Sequence, residues 1–170
     1  CAAQGCRRRA ATVRALRPGP SGPSGQSGKA TASLREDGEW PVASWDDLVR
    51  WVRVRYEVMA QGADSLTFRL PTTEERTQLV YVHHKGEVAG HDWVQVESPI
   101  ARLDTIDARR LLELAEHAVV GGAAAVGGTA VFRHATPLEE LSFAEFDGPF
   151  RLVTSIADRL EQELTGADQY

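Results

Sequence analysis

Residues 77–98, Thr-Gln-Leu-Val-Tyr-Val-His-His-Lys-Gly-Glu-Val-Ala-Gly-His-Asp-Trp-Val-Gln-Val-Glu-Ser, decide the architecture of this chain. Residues 77–83 are rich in β-formers on both faces, which suits a strand inside a sheet rather than at its margin. Residues 85–90 supply a turn, and 93–98 then alternate strictly. That alternation sets Val94 and Val96 on one face and Trp93, Gln95 and Glu97 on the other. With the valines turned inward, Trp93 stands on the open side of the sheet, where a large amphipathic ring suits contact with a bound segment.

Upstream, Leu66, Phe68 and Leu70 alternate with Thr67 and Arg69 until Pro71 ends a further strand. Before it, Ser44-Trp45-Asp46-Asp47 opens a helix, because the Ser44 hydroxyl accepts a free backbone N–H and the two acids suit the positive helix end. Trp45, Leu48, Val49, Val52, Tyr56 and Met59 repeat at helical spacing, and residues 61–64 are expected to end the helix. Trp51, Val54 and Val58 fall outside that stripe, so the helix is apolar over more of its circumference than a surface helix needs. A contact with a partner or a second subunit explains this, and so does a helix tucked between sheet and linker.

Downstream, Ser98-Pro99 is expected to break the strand, and Asp104 or Thr105 to start a second helix through Ala108, Leu111, Leu112, Ala115 and Val119. Residues 121–129, Gly-Gly-Ala-Ala-Ala-Val-Gly-Gly-Thr, invite comparison with a phosphate-binding loop. They lack the lysine, and they follow a helix and precede a strand instead of the reverse. A short small-residue strand, a Gly-Gly turn and a return strand through Phe132 fit better. Ser142-Phe143-Ala144-Glu145 is a capping box for a final helix, with Phe143, Phe146, Phe150, Val153, Ala157, Leu160 and Leu164 at three- and four-residue steps. Gly148-Pro149 interrupts it, so a separate first turn is expected, and Gly166 supplies the stop.

The elements order as α-β-β-β-α-β-β-α, an α+β domain with a curved antiparallel five-stranded sheet covered by helices, spanning residues 40–170. Residues 1–35 form a basic tail, and 18–28 within it read as a flexible Gly/Pro/Ser linker, so the tail is expected to be disordered. With 170 residues and 42% hydrophobic content, one domain plus a tail is the natural division. The net charge of −5 conceals an asymmetry. Seven bases and no acid lie in 1–35, leaving twelve bases against twenty-four acids, a balance of −12, in residues 36–170. Such a body repels phosphate backbones and anionic lipid, which argues against nucleic acid and membrane as partners. Both cysteines, Cys1 and Cys6, lie in the tail, so no disulfide framework holds the domain, and a reducing cytoplasm is the expected setting.

The residues of ordinary enzymatic chemistry do not assemble into a recognisable pattern. His83, His84 and His91 flank one turn without the cysteines or paired carboxylates of a zinc set, so neither a metal nor another cofactor is expected. His134, near Ser142 and Thr136, allows a hydrolase or small-ligand site on the concave sheet face as an alternative, but no strained nucleophile turn accompanies it.

The body resembles the YbjN and type III secretion chaperone-like superfamily. The likeness is carried by the element order, by Glu97-Ser98-Pro99-Ile100 closing the third strand, and by Arg133-His134-Ala135-Thr136-Pro137-Leu138 with Ala157-Asp158-Arg159-Leu160-Glu161 in the last helix. The resemblance implies a non-catalytic fold, not an enzyme, that binds an extended protein or peptide client against apolar patches on the first helix and the sheet. In the secretion chaperones such domains commonly pair as homodimers. Trp51, Trp93 and Phe132 are the contacts expected for such a peptide.

Overall fold

The computed structural model describes residues 44–170, except Glu74 and Glu140. The basic tail at 1–35 lies outside the described residues. Helix α1 covers Trp45–Arg55, β1 Ala60–Gln61, β2 Ser65–Pro71, β3 Thr77–Val88 and β4 His91–Arg102. A 3-10 turn at Leu103–Thr105 leads to α2 at Ala108–Ala115, followed by β5 at Gly122–Val126, β6 at Thr129–Pro137 and α3 at Phe143–Thr165. The strands form one sheet in the order β1-β2-β3-β4-β6-β5, with every neighbouring pair antiparallel. The class is α+β as expected, with six strands in place of five.

The sixth strand comes from a shorter first helix. Ser44 Oγ accepts the Asp47 N–H at 3.2 Å and starts α1 where expected. The helix ends at Arg55, because Tyr56 takes extended backbone angles of −132° and 142° and turns its ring into the core. Met59 therefore leaves the helical stripe and stands exposed, and Ala60–Gln61 pairs with Leu66 and Thr67. The central hairpin is longer than its alternation suggested. β3 continues to Val88 past a bulge between His84 and Gly86, and the turn shrinks to Ala89 and Gly90, at φ of 55° and 84°. Two positive-φ residues make the mirror-image turn whose twist matches antiparallel strands. Gly127 and Gly128, at φ of 54° and 82°, make the same turn between β5 and β6, as the Gly-Gly pair foretold.

Ser98-Pro99 does not end β4. The strand runs on to Arg102 through an irregularity between Pro99 and Ala101, where a residue without an N–H costs the ladder little. Gln78 on β3 fastens this point, its amide donating to Pro99 O at 2.6 Å and Ser98 Oγ at 2.9 Å, while Ser98 Oγ donates to Leu79 O at 2.8 Å. Asp107 caps α2, so that helix starts later than expected and Val119 falls beyond it, almost fully exposed. Nor is the first turn of α3 separate: the capping box at Ser142 and Glu145 opens one helix of 23 residues that carries Pro149 within it.

The core lies between the sheet and the helices. Leu66 and Phe68, Val80 and Val82, Val94 and Val96, and Phe132 meet Leu48, Val49 and Val52 of α1 and Phe146, Phe150, Val153, Ala157 and Leu160 of α3. Along β4, Val94 and Val96 point into this core, leaving Trp93, Gln95 and Glu97 on the opposite face. At roughly 1.5–3 kcal/mol for each buried side chain, this cluster supplies the main drive to fold.

Candidate functional site: a cleft between the last helix and the edge of the second strand

β1 pairs only with Leu66 and Thr67, so among the described residues no strand lies along the rest of the outer edge of β2, the edge away from β3. Ser65 O accepts from Gly62 N at 2.9 Å and Thr67 O from Met59 N at 2.9 Å, which fixes the odd residues of β2 as those whose main chain faces outward. By the two-residue period, the N–H and C=O of Arg69 face the same way. Pro71 follows with a carbonyl and no N–H, and so guards the strand end against open-ended pairing.

Beside this edge runs a cleft of about 690 Å³. One wall is β2 and its following loop, with Leu70, Pro71, Thr72 and Thr73; the other is a stripe of α3, with Arg151, Ser155, Arg159 and Gln162 at steps of four, four and three. Tyr56 closes one end. From residue 151 to 162 a helix rises about 16 Å. An extended segment of about five residues has that length.

The walls are stiff. Tyr56 packs edge-on against Phe150, with ring centroids 5.0 Å apart, and its hydroxyl donates to Asp147. Burial, reinforced by that carboxylate, pushes its pKa up to about 12, so the phenol stays a neutral donor. Arg151 donates to Asp147 at 2.8 Å and lies over the Tyr56 ring at 5.6 Å. Behind the opposite end sits a buried charge cluster. The Arg76 guanidinium donates to Asp158 at 2.7 Å and to Ala167 O at 2.8 Å, with a Glu161 carboxylate oxygen 3.5 Å away. Glu161 is fully buried, which raises its pKa, and it accepts the Gln169 N–H at 2.7 Å. Asp158, Glu161 and Asp168 come close enough together to suggest cation ligands, but the guanidinium already supplies the positive charge. Removing a partner from such a buried set typically costs about 3–5 kcal/mol, so this cluster is a structural brace for the cleft. Thr72 Oγ1, on the cleft wall, is buried and has no hydrogen-bond partner among the described residues.

The three residues expected to contact a peptide do not come together. Trp51 is half-buried, its ring centroid 3.7 Å from that of Phe143 at an interplanar angle of 69°, with the Arg55 guanidinium 4.7 Å above it. It binds the first helix to the last, which accounts for part of the apolar surplus of α1; Val54 remains 82% exposed. Phe132 is a correction: opposite Ser98 in the ladder, it is fully buried in the core and cannot touch a client. Trp93 does stand on the open face, half-buried, its indole N–H donating to Val88 O at 3.0 Å. His134, opposite Val96, lies on the helix side of the sheet, and burial lowers its pKa. Ser142 Oγ is engaged as the cap of α3, accepting the Glu145 N–H.

The cleft residues escaped a reading of the sequence because they come from three separated stretches. The available signal was the polar stripe Arg151, Ser155, Arg159 and Gln162 beside the apolar face of α3, which is also how an ordinary solvated helix face reads. A comparison with models of protein families finds no match to this chain, and neither does a comparison with curated proteins. Among the described residues, no helix is long and apolar enough to cross a membrane.

Proposed function

We propose that this domain is a non-catalytic chaperone-like or adaptor module that holds an extended protein segment in the cleft between β2 and α3. The observation that carries the reading is the coincidence of a cleft of about 690 Å³ with outward-facing main-chain groups on β2 that no strand among the described residues occupies. A bound segment gains hydrogen bonds from the Arg69 N–H and C=O and the Pro71 C=O, each worth about 1 kcal/mol net. A side chain between Tyr56 and Leu70 adds roughly 1.5–3 kcal/mol. These terms together reach only about 4.5–6 kcal/mol before the cost of association, so taken alone they give weak binding, millimolar or weaker, and tighter binding needs further side-chain burial along the cleft. The segment-binding role agrees with what resemblance to the YbjN and secretion chaperone-like superfamily implies, while moving the contact away from Trp51, Trp93 and Phe132.

The test is selection of short peptides from a displayed library, followed by fluorescence anisotropy. Ser155→Trp, which fills the cleft from an exposed helix position, is expected to weaken binding of a selected peptide at least tenfold, while Trp93→Ala leaves it unchanged. Selection of no peptide, or equal binding by Ser155→Trp, removes the proposal. A cleft of this volume also suits a compact small molecule. Native mass spectrometry of the purified protein separates that second reading: a retained small molecule displaced by Ser155→Trp favours it over the segment.

A further inference from the structure

A second pocket, of about 410 Å³, is lined by Lys85, Gln95, Gly121, Arg133, His134 and Ala135, of which Gln95, Arg133 and Ala135 lie on the face of the sheet away from the helices. Four strands or strand ends converge there. Lys85 sits in the β3 bulge, Gln95 on β4, Arg133 and Ala135 on β6, and Gly121 immediately precedes β5. Gln95 is 8% exposed, and its amide donates to Glu97 at 3.1 Å.

Lys85 and Arg133 are exposed, and neither has an ion-pair partner among the described residues. In residues 36–170 acids outnumber bases two to one, twenty-four to twelve, so two cations without ion-pair partners on one pocket are unexpected. Glu97 even stands directly across the ladder from Arg133 without pairing with it. The backbone leaves space beside them. Gly121 has φ of 76°, and a Cβ there would fall 2.5 Å from the Arg133 carbonyl oxygen; Gly122, opposite Arg133, likewise presents no side chain to the pocket. Residues 121–129 failed as a phosphate loop for want of a lysine. The fold brings Lys85 and Arg133 to that glycine pair from two other strands.

We infer that this pocket binds a small soluble molecule through a phosphate or carboxylate group, held between the Lys85 ammonium and the Arg133 guanidinium over Gln95. Arg133 offers the planar fork that matches an oxyanion in two bonds, and Lys85 a mobile point charge. A lipid headgroup has the same chemistry, but the balance of −12 in residues 36–170 repels an anionic membrane, so the soluble ligand is the one the charge distribution admits. The pocket and the cleft lie on opposite faces of the sheet, and this inference stands without the segment-binding proposal.

The test is a titration of the full chain, uniformly labelled with nitrogen-15, with inorganic phosphate at constant ionic strength. Saturable shifts centred on the amides of Gly121, Gln95 and Ala135, with a millimolar dissociation constant, are expected. Lys85→Gln and Arg133→Gln each weaken binding about fivefold or more, and Arg53→Gln, the same charge change on exposed α1, does not. Both pocket positions are exposed, so folding is retained and is read from the same spectra. Shifts that never saturate, that spread evenly over exposed cations, or that survive in Arg133→Gln overturn the inference. Co-sedimentation with phosphatidic acid vesicles that is lost in Arg133→Gln would overturn the soluble ligand in favour of the membrane source.

Discussion

His84 shows how one side chain ties separate elements together. Its Nε2 lies 2.8 Å from Asp92 Oδ1 and its Nδ1 3.3 Å from Asp64, while the Trp45 ring stacks on it at 5.3 Å and 4°. Trp45 in turn donates to Ala63 O at 3.1 Å, so the start of α1, the β1–β2 loop and the β3–β4 hairpin meet at one imidazole. Partial burial opposes its charge, but the hydrogen bonds to Asp92 and Asp64 and their charges outweigh it, and the net shift is upward. A histidine whose pKa rises on folding gives stability that is complete below its ordinary value of about 6.5 and is lost as pH rises through the folded value. His83 and His134 shift downward by burial and act in the opposite sense, losing their contribution on acidification. The difference between the wild type and His84→Gln isolates the first effect. Thermal melts at pH steps from about 5.5 to 8.5 are expected to show the wild type ahead by a few degrees at the acid end, with the gap closing toward the alkaline end. A gap independent of pH would assign His84 a packing role only.

At the scale of elements, the boundaries follow from local backbone demands that a few residues impose. The β3–β4 turn places Ala89 at φ of 55°, a left-handed conformation costing an L-residue roughly 1–2 kcal/mol. The equivalent turn between β5 and β6 uses glycine at both positions. Ala89→Gly is therefore expected to stabilise the protein by roughly 0.5–1 kcal/mol, after allowance for the greater freedom of glycine in the unfolded chain. Urea denaturation measures it, and a loss of stability would mean that the turn is not strained. The same alanine explains why β3 extends five residues beyond the run of β-formers at residues 77–83: nothing in Val88-Ala89-Gly90-His91 advertises a two-residue turn as Asn-Gly would. Tyr56 acts in a comparable way on α1. Its ring is worth more against Phe68 and Phe150 than in another helical turn, so tertiary packing overrides the helical period that continues to Met59.

Among the described residues, the sheet separates two unlike surfaces: a cleft beside α3 with a hydroxyl-rich wall, and a face on which Lys85 and Arg133 have no ion-pair partner. A ligand specific for the folded protein raises its stability by about 2.7 kcal/mol at a hundredfold excess over its dissociation constant. The two sites share no residue, so their effects are expected to add. In differential scanning fluorimetry, phosphate should stabilise Ser155→Trp as it does the wild type and fail with Arg133→Gln, and a selected peptide should show the reverse. Loss of both shifts in one variant would show that the sites are coupled. The sequence alone determined the α+β class, the antiparallel hairpins, the caps at Ser44 and Ser142, the stop at Gly166 and the division of Val94 and Val96 from Trp93, Gln95 and Glu97 onto two faces, because each depends on neighbours within a turn or on a period of two or 3.6 residues. Only tertiary structure decided where α1 ends, that β4 passes through Pro99, that Phe132 is buried, and that Arg76 pairs with Asp158 beside Glu161 behind the cleft. Those outcomes rest on contacts between residues up to a hundred positions apart, whose strength depends on burial and direction, and neither quantity is written in the order of the residues.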